Sequence, residues 1–232
     1  MSETRWTPPQ QRPRLAAGTI DVWRADLAAG RERERGLLSA AEQARAARFV
    51  RAEDGLRWAA ARGILRALLG ACLDAEPAAL RFAQGSHGKP RLAAGPDASG
   101  AGDLRFNLSH SGDTALYAVT LGREVGVDVE LPRRAVDHVA IARRILGAAE
   151  ADRLAALDPT TRASEFRRAW VRWEAVLKCR GTGIGGADAP STGPAPWLHD
   201  LDVGAPAAAA LAAEDGPCTV RCWQWPAAPA AG

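Results

Sequence analysis

The sequence lacks any apolar run long enough to cross a membrane, although 47% of its 232 residues are hydrophobic. A transmembrane helix needs about 20 consecutive apolar residues, so we expect no membrane partner. The N-terminus also lacks the apolar core of a signal peptide, which predicts a cytoplasmic protein. The hydrophobic content still suffices for one sizeable core, or for two small cores that share an interface.

Cysteine and lysine are both scarce. No two of the four cysteines form a zinc-type CxxC pair, and we expect all of them to be reduced: Cys72, Cys179, Cys218 and Cys222. Among the 30 basic residues only Lys89 and Lys178 are lysines, and the others are arginines. The net charge of +3 suits an acidic partner or a phosphate ligand. So mild a charge does not demand nucleic acid, and we expect no nucleic-acid partner.

The clearest chemical pattern is Gly126-Val127-Asp128-Val129-Glu130. Valines alternate with polar residues, which predicts a β-strand with the valines on one face and both carboxylates on the other. Residues two apart on a strand are separated by roughly 6.5–7 Å, so Asp128 and Glu130 can reach one small cation. Oxygen ligands favour Mg²⁺ or Mn²⁺ over zinc. The alternative is a half-exposed strand with a solvated acidic face.

The rest of the chain alternates short strands with helices. Ser39 and Glu42 form a capping box that begins a helix, and a longer helix is expected at 54–69. Strands at 104–108, 115–121 and 125–130 predict a meander, with a polar turn at 109–113 at one end of its sheet. Further helices are expected at 136–146, 148–157 and 164–179, and further strands at 19–23, 80–83, 197–203 and 219–225. The alanine run at 207–213 favours a helix by propensity.

The predicted helix at 164–179 carries an acid–base pair. Glu174 and Lys178 lie one turn apart, where they either reach into a cleft or form an ordinary surface ion pair. Four large side chains share one apolar stripe, which we expect to be the core face: Phe166, Trp170, Trp173 and Leu177. The GxGxxG pattern at 181–186 follows a helix instead of opening one, so we interpret it as a helix stop and exclude a dinucleotide site.

Two polar segments have residues typical of phosphate binding. Ser109 and His110 offer a hydroxyl, an imidazole and backbone N–H groups, although a turn histidine that caps its own backbone is the alternative. Lys89 lies in a glycine-flanked turn, where an ordinary solvated lysine is the alternative.

Four motifs occur in a fixed order, and together they resemble the 4′-phosphopantetheinyl transferases of the larger, pseudodimeric Sfp type. The motifs are Gly88-Lys89-Pro90, FNLSHSG at 106–112, GVDVE at 126–130, and W-x-x-W-E-A-x-x-K at 170–178. The resemblance covers roughly residues 37–225. It implies an α+β fold: a pseudodimer of two similar α/β subdomains, each a small, mainly antiparallel sheet packed with helices, with the ligand in the cleft between them. It also implies that the alanine run is a strand.

A proline- and arginine-rich composition predicts a loose N-terminal tail (1–14). The resemblance implies an N-terminal α/β subdomain (15–122) and a C-terminal α/β subdomain (123–226). The implied activity is Mg²⁺-dependent transfer, with Mn²⁺ as an alternative metal, of the 4′-phosphopantetheine of coenzyme A to a serine of an acyl or peptidyl carrier protein. Adenosine 3′,5′-bisphosphate is released. The carrier would serve fatty acid, polyketide or nonribosomal peptide synthesis, and we expect a cytoplasmic monomer.

By motif position, Asp128, Glu130 and Glu174 would ligate the metal. The catalytic pair would be Glu174, which takes the serine proton, and Lys178, which contacts the pyrophosphate. Coenzyme A would be held by six residues: Arg45, Arg62, Lys89, Ser109, His110 and Lys178.

Trp173 is the second tryptophan of W-x-x-W-E-A-x-x-K, a position at which the family commonly has a lysine. We expect it to be a packing residue, because it shares the apolar stripe of its helix. The substitution leaves one alternative, a catalytically decayed protein that binds coenzyme A or a carrier without transfer.

Overall fold

A computed structural model describes residues 5–10, 13–28, 31–85, 88–93, 103–132, 136–182 and 194–226 of the chain. The described helices are α1 Glu32–Arg35, α2 Ala40–Ala47, α3 Ala52–Leu73, α4 His138–Ile145, α5 Ala148–Ala155 and α6 Pro159–Arg180, with a 3-10 turn at Pro77–Ala79. The described strands are β1 Thr19–Asp26, β2 Phe82–Gln84, β3 Pro90–Leu92, β4 Leu104–Ser111, β5 Thr114–Leu121, β6 Val125–Glu130, β7 Trp197–Leu201, β8 Ala208–Ala213 and β9 Thr219–Gln224.

Two sheets lie face to face, with a long helix on the outer side of each. The first sheet has the strand order β4-β5-β1-β9 and the second β6-β8-β7, while β2 and β3 form a separate hairpin. On the outer face of the first sheet, α3 accepts a hydrogen bond from the Tyr117 hydroxyl at Ala61 O (3.0 Å). On the outer face of the second sheet, Ala175 of α6 shares a buried cluster with Ala210. The layers are therefore helix, sheet, sheet, helix.

The layer between the sheets is apolar because the inward residues of both are aliphatic. The three valines of β6 are fully buried there, in one cluster with Val22 and Leu116 of the first sheet. This is the valine face that the alternation predicts. The α+β class with two helix-packed sheets is confirmed, and so is the strand at the alanine run, which is β8.

The predicted meander is wrong. β4 pairs with β5 as expected, but β6 pairs with β8 in the other sheet. The link after β5 contains Gly122 at φ 74°, a conformation that favours glycine, and it redirects the chain into the second sheet. The predicted polar turn at 109–113 is also shorter than expected, because β4 continues to Ser111.

The first and last described segments of the chain meet at the first sheet. β9 runs parallel to β1, so the last described strand of the predicted C-terminal subdomain joins the sheet of the N-terminal one. Thr7, in the tail predicted to be loose, donates to Cys222 O (3.3 Å) and accepts from Gln224 N (2.8 Å). The division of the chain into three parts remains a prediction.

The core face of α6 differs from the predicted stripe. The residues packed on the second sheet are Val171, Ala175 and Cys179, one turn apart. Trp170 and Trp173 are only half-buried, and their rings contact each other at a tilt of 46° with centroids 5.2 Å apart. Phe166 and Leu177 of the predicted stripe are buried, but none of its four residues belongs to the cluster on the second sheet. Small residues permit a closer approach of the helix backbone than tryptophans do.

Gly181 ends α6 in the left-handed conformation, as the helix-stop interpretation predicts. Residues 183–186 of the GxGxxG pattern lie outside the described residues. None of the helices in the described ranges has the length and hydropathy that a membrane span requires.

Candidate active site

β4 and β6 are edge strands of different sheets, and they meet side by side. An edge strand has open backbone groups that need partners, and β4 supplies them from its side chains. Asn107 Oδ1 accepts from Val127 N (2.9 Å). Ser111 Oγ accepts from Leu131 N (3.1 Å) and donates to Glu130 Oε2 (3.0 Å). These bonds fix the register between the two edges.

Ser109 lies between those two residues and belongs to a charged network. Its hydroxyl donates to Asp128 Oδ1 (2.7 Å), while Lys178 Nζ donates to the same carboxylate oxygen (2.6 Å) and to Ser109 Oγ (2.9 Å). The Asp128 side chain is 4% exposed and that of Lys178 27%. Asp128 Oδ2 is buried and has no hydrogen-bond partner within the described ranges. A buried carboxylate oxygen without a donor is costly, and it is suited to a cation.

Lys178 reaches this network because α6 lies directly on β6. A Cβ at Gly126 would overlap Ala175 O and Cys179 N of the helix. Only glycine permits that approach, and alternation along β6 then turns Asp128 towards the same helix. The first residue of the GVDVE motif thus allows the W-x-x-W-E-A-x-x-K motif of α6 to lie against the GVDVE strand.

A cleft of about 810 Å³ lies on the other face of β4. Leu108 and His110 line it, since they alternate with Ser109 along the strand. Arg45 and Arg62 line the cleft from α2 and α3, and the Arg62 guanidinium lies 3.7 Å from the centroid of the Phe82 ring. β4 therefore separates a basic cleft from the Asp128 network by the thickness of one strand. The described residues that line the cleft all belong to the N-terminal half of the chain.

A second cavity, of about 840 Å³, is lined by residues of both halves and shares His110 with the first. Leu131 and Pro132 contribute from the chain after β6, and Arg57 from α3. His110 is exposed at the boundary of the two cavities. Desolvation, followed by the charge of Lys178, lowers the pKa of its imidazole below 6.5. The ring is therefore mainly neutral at pH 7.

Glu42 organises the arginines of the cleft wall. Its carboxylate accepts from Arg62 Nε (2.5 Å), from Arg66 Nε (2.8 Å) and from the Ser39 backbone N–H (2.9 Å). The last bond belongs to the predicted capping box, which is confirmed. Desolvation opposes ionisation of Glu42, but these hydrogen bonds outweigh it and lower its pKa to about 2. Arg45 forms no ion pair within the described ranges, and its guanidinium lies 5.1 Å from the centroid of the Trp58 ring.

Lys89 is not among the residues that line the cleft, although its neighbours Gly88 and Pro90 are. Its ammonium group donates to Glu124 Oε2 (2.6 Å), Val125 O (3.0 Å) and Cys179 O (3.2 Å). The structure therefore brings Arg45, Arg62 and His110 together and directs the Lys89 side chain elsewhere. A phosphate contact of Lys89 stays a prediction, and it would have to replace these bonds.

The metal set predicted from the sequence is only partly assembled. In the part of the chain that the structure describes, no three His, Cys, Asp or Glu side chains cluster closely enough to hold a metal. Asp128 and Glu130 share one face of β6, and Glu174 precedes Lys178 by one turn of α6. The unpartnered Asp128 Oδ2 and the oxygen-only donor set fit a hard cation. The three-carboxylate site stays a prediction.

Sequence reasoning missed Asn107, Ser111 and Glu42 as residues that build the site. Asn107 and Ser111 lie in the recognised FNLSHSG motif, and their alternation with Phe106 and Leu108 indicated a polar face. Glu42 was recognised only as a helix cap. Its second role requires two arginines from α3, about twenty residues along the chain.

Comparison with known proteins agrees with this geometry. Residues 124–227 match the model of the 4′-phosphopantetheinyl transferase superfamily, and residues 32–121 match that of the 4′-phosphopantetheinyl transferase N-terminal domain. The chain belongs to the 4′-phosphopantetheinyl transferase superfamily. It is 36% identical to the 4′-phosphopantetheinyl transferase HetI of Nostoc sp. over 79% of this chain and 78% of HetI.

Other relatives carry the same description. The putative 4′-phosphopantetheinyl transferase slr0495 of Synechocystis sp. is 35% identical over 65% of this chain and 59% of its own length. AcpT of Escherichia coli K12 is 34% identical over 54% and 57%. The family expected from the four motifs is confirmed, and with it transfer of phosphopantetheine to a carrier protein. Nothing in these comparisons supports the catalytically decayed alternative.

Proposed function

We propose that this transferase depends on Mg²⁺, with Mn²⁺ as the alternative metal, and that it modifies a serine of an acyl or peptidyl carrier protein. The observation that carries the proposal is the Lys178–Asp128–Ser109 network, whose buried Asp128 Oδ2 has no hydrogen-bond donor within the described ranges. Asp128, Glu130 and Glu174 would hold the metal. When bound, it would offset the charge that develops on the pyrophosphate bridge of coenzyme A as adenosine 3′,5′-bisphosphate leaves.

The basic cleft would bind the nucleotide part of coenzyme A. Arg45, Arg62 and His110 line it together, and guanidinium groups are suited to phosphate recognition. His110 would contact the 3′-phosphate. Ser109 would contribute through its backbone and hydroxyl, at the point where the cleft and the Asp128 network lie on opposite faces of β4.

Transfer itself is a phosphoryl-transfer reaction, in which positioning and charge neutralisation supply most of the catalysis. Lys178 would exchange part of its contact with Asp128 for the pyrophosphate of coenzyme A. Glu174 would accept the proton of the carrier serine as the serine oxygen attacks the β-phosphorus of coenzyme A. The bond between that phosphorus and the bridging oxygen of the pyrophosphate then breaks. Adenosine 3′,5′-bisphosphate then leaves.

The remaining parts of the proposal concern the partner and the cell. Carrier proteins present an acidic recognition helix, and a net charge of +3 favours encounter with it. We place the protein in the cytoplasm as a monomer, with no nucleic-acid or membrane partner.

The test is intact mass spectrometry of an apo carrier incubated with the enzyme and coenzyme A, with Mg²⁺ or with EDTA. We expect the phosphopantetheine mass only with the metal, and a rate at least about 100-fold lower for Asp128→Asn. Asp113→Asn is the control, because that carboxylate is half-exposed at the β4–β5 turn. Undiminished transfer in EDTA, or by Asp128→Asn, would refute the metal role.

A further inference from the structure

Lys89 connects the wall of the basic cleft to the C-terminal half of the molecule. Gly88 and Pro90 on either side of it line the cleft, and side chains alternate along an extended segment, so Lys89 points the opposite way. There its ammonium group has three acceptors: Glu124 Oε2, Val125 O and Cys179 O. An ammonium group has three N–H donors, so the protein uses all of them.

Two of these acceptors belong to the elements that carry the Asp128 network, and Glu124 directly precedes one of them. Val125 begins β6, and Cys179 lies in the last turn of α6, where carbonyls lack partners within the helix and a cation is favourable. The Lys89 side chain is 7% exposed. Its stem also packs against the helix end, because a Cβ at Gly181 would lie 3.7 Å from Lys89 Cδ. One buried side chain thus binds both elements from the far side of the cleft wall.

The surrounding charges support this role. Arg91 and Arg105, which like Lys89 belong to the N-terminal half, also pair with Glu124, at 3.6 and 3.2 Å. Their side chains are 57% and 36% exposed, so water screens their pairs with Glu124. Lys89 is the buried member of the cluster.

We propose that Lys89 is a positioning residue for phosphopantetheinyl transfer, which holds β6 and the end of α6 in place relative to the cleft wall. Displacement of reacting groups by about 1 Å can cost a factor of about 100 in rate. We call the three hydrogen bonds of the Lys89 ammonium group the clamp. Loss of the clamp would therefore lower kcat while leaving the phosphate contacts of coenzyme A intact. The inference rests on the proposed function for its kinetic readout.

The experiment compares Lys89→Met and Glu124→Gln with wild type, using coenzyme A and 3′-dephospho-coenzyme A as substrates. We expect both variants to lose about 10- to 100-fold in kcat. KM for coenzyme A and the preference for coenzyme A over the dephospho form should stay within about twofold. Arg91→Met is the matched control, since it removes an exposed cation from the same hairpin, and it should change kcat less than twofold.

A direct phosphate contact predicts a different pattern. Lys89→Met would then lose the preference for coenzyme A over the dephospho form, while Glu124→Gln, which frees the ammonium group, would not lose activity. Either result overturns the clamp, as does wild-type kcat in both variants. If Lys89→Met does not fold, Glu124→Gln decides.

Hydrogen exchange gives a readout that does not need activity. The clamp predicts faster amide exchange at the start of β6 and in the last turn of α6 in both variants, and unchanged exchange would contradict it. An inactive wild-type protein would count against the proposed function alone, because the exchange comparison still tests the clamp.

Discussion

Glu42 shows how one side chain can stabilise a helix end and the wall of the basic cleft at once. It caps α2 through Ser39 and holds Arg62 and Arg66 on α3. Arg66 also donates to Leu80 O (3.0 Å) and is 3% exposed, so its charge is compensated almost entirely by protein atoms. Arg62 is therefore oriented towards the cleft by a carboxylate that is itself fixed by the helix start.

Glu42→Gln should lower stability in a pH-dependent manner. The folded protein lowers the pKa of Glu42 from 4.5 to about 2, so its ionised form stabilises the fold by about 3 kcal/mol above pH 4.5. That contribution is lost as pH falls from 4.5 towards 2. Urea unfolding at several pH values should show a gap between wild type and variant near pH 7 that closes in acid. Glu53→Gln, an exposed control, should differ from wild type by less than about 0.5 kcal/mol, and a gap that is independent of pH would contradict the assignment.

His110 should take up a proton when coenzyme A binds. Its pKa lies below 6.5 in the free protein, and a neighbouring phosphate raises the pKa of an imidazole. Binding near pH 6.5 is then coupled to proton uptake, and affinity should fall as pH rises. Calorimetric titration in buffers of different ionisation enthalpy measures the uptake. It should vanish in His110→Gln and with 3′-dephospho-coenzyme A, and equal uptake with both ligands would place the 3′-phosphate elsewhere.

At the scale of elements, the packing of α6 on β6 decides whether Lys178 of the helix meets Asp128 of the strand. Gly126→Ala would push the added methyl group into the helix backbone at Ala175 and Cys179. We expect a loss of about 3 kcal/mol or more in the free energy of unfolding, and a loss of transfer because Lys178 moves with the helix. The control is Gly122→Ala, where a Cβ meets nothing within 4 Å and only the positive φ of 74° is strained. That variant should cost about 1 kcal/mol and keep its activity, and equal losses in both would refute the packing argument.

Patterns that act within one element were readable from the sequence. The alternation of β6, the capping box at Ser39 and the glycine that ends α6 each involve neighbours a few residues apart. The partner of β6 was not readable, because β8 lies about eighty residues away and the apolar alternation of β6 would fit either sheet. The direction of the Lys89 side chain was not readable for a related reason. A glycine-flanked turn gives no periodicity, whereas the described backbone places alternate residues on opposite sides.

Trp173 tests the assignment of the α6 faces. The sequence predicted a core residue, but the side chain is half-buried beside Trp170 and outside the cluster packed on the second sheet. Trp173→Lys should therefore cost only about 1–2 kcal/mol, since a lysine stem can cover part of the same surface while its ammonium group reaches water. Chemical denaturation measures this. Leu177→Lys, at a 5% exposed position, is the comparison and should cost about 3 kcal/mol or more.

At the scale of the whole molecule, the two halves are not independent units. β9, at the far end of the chain, completes the first sheet beside β1. The side chains of β4 bind the open edge of β6. Separating the halves would break the pairing of β1 with β9 and the hydrogen bonds from β4 to β6. The site that lies along β4 and β6 therefore exists only when both halves are folded.

This coupling predicts one cooperative unfolding transition, and Arg221→Met should lower it as a whole. Asp21 on β1 is 1% exposed and accepts from Arg221 Nε (2.6 Å) and Trp223 Nε1 (2.9 Å), both on β9. Removing the guanidinium leaves a buried carboxylate without its cation, which costs about 2–4 kcal/mol and lowers Tm by roughly 5–10 °C. Asp21→Asn in the same chain should restore part of the loss, since the uncompensated charge is then gone.

Scanning calorimetry should give equal calorimetric and van't Hoff enthalpies for wild type and variant. Two separate transitions, with the Tm of only one of them lowered in Arg221→Met, would mean that the halves unfold independently.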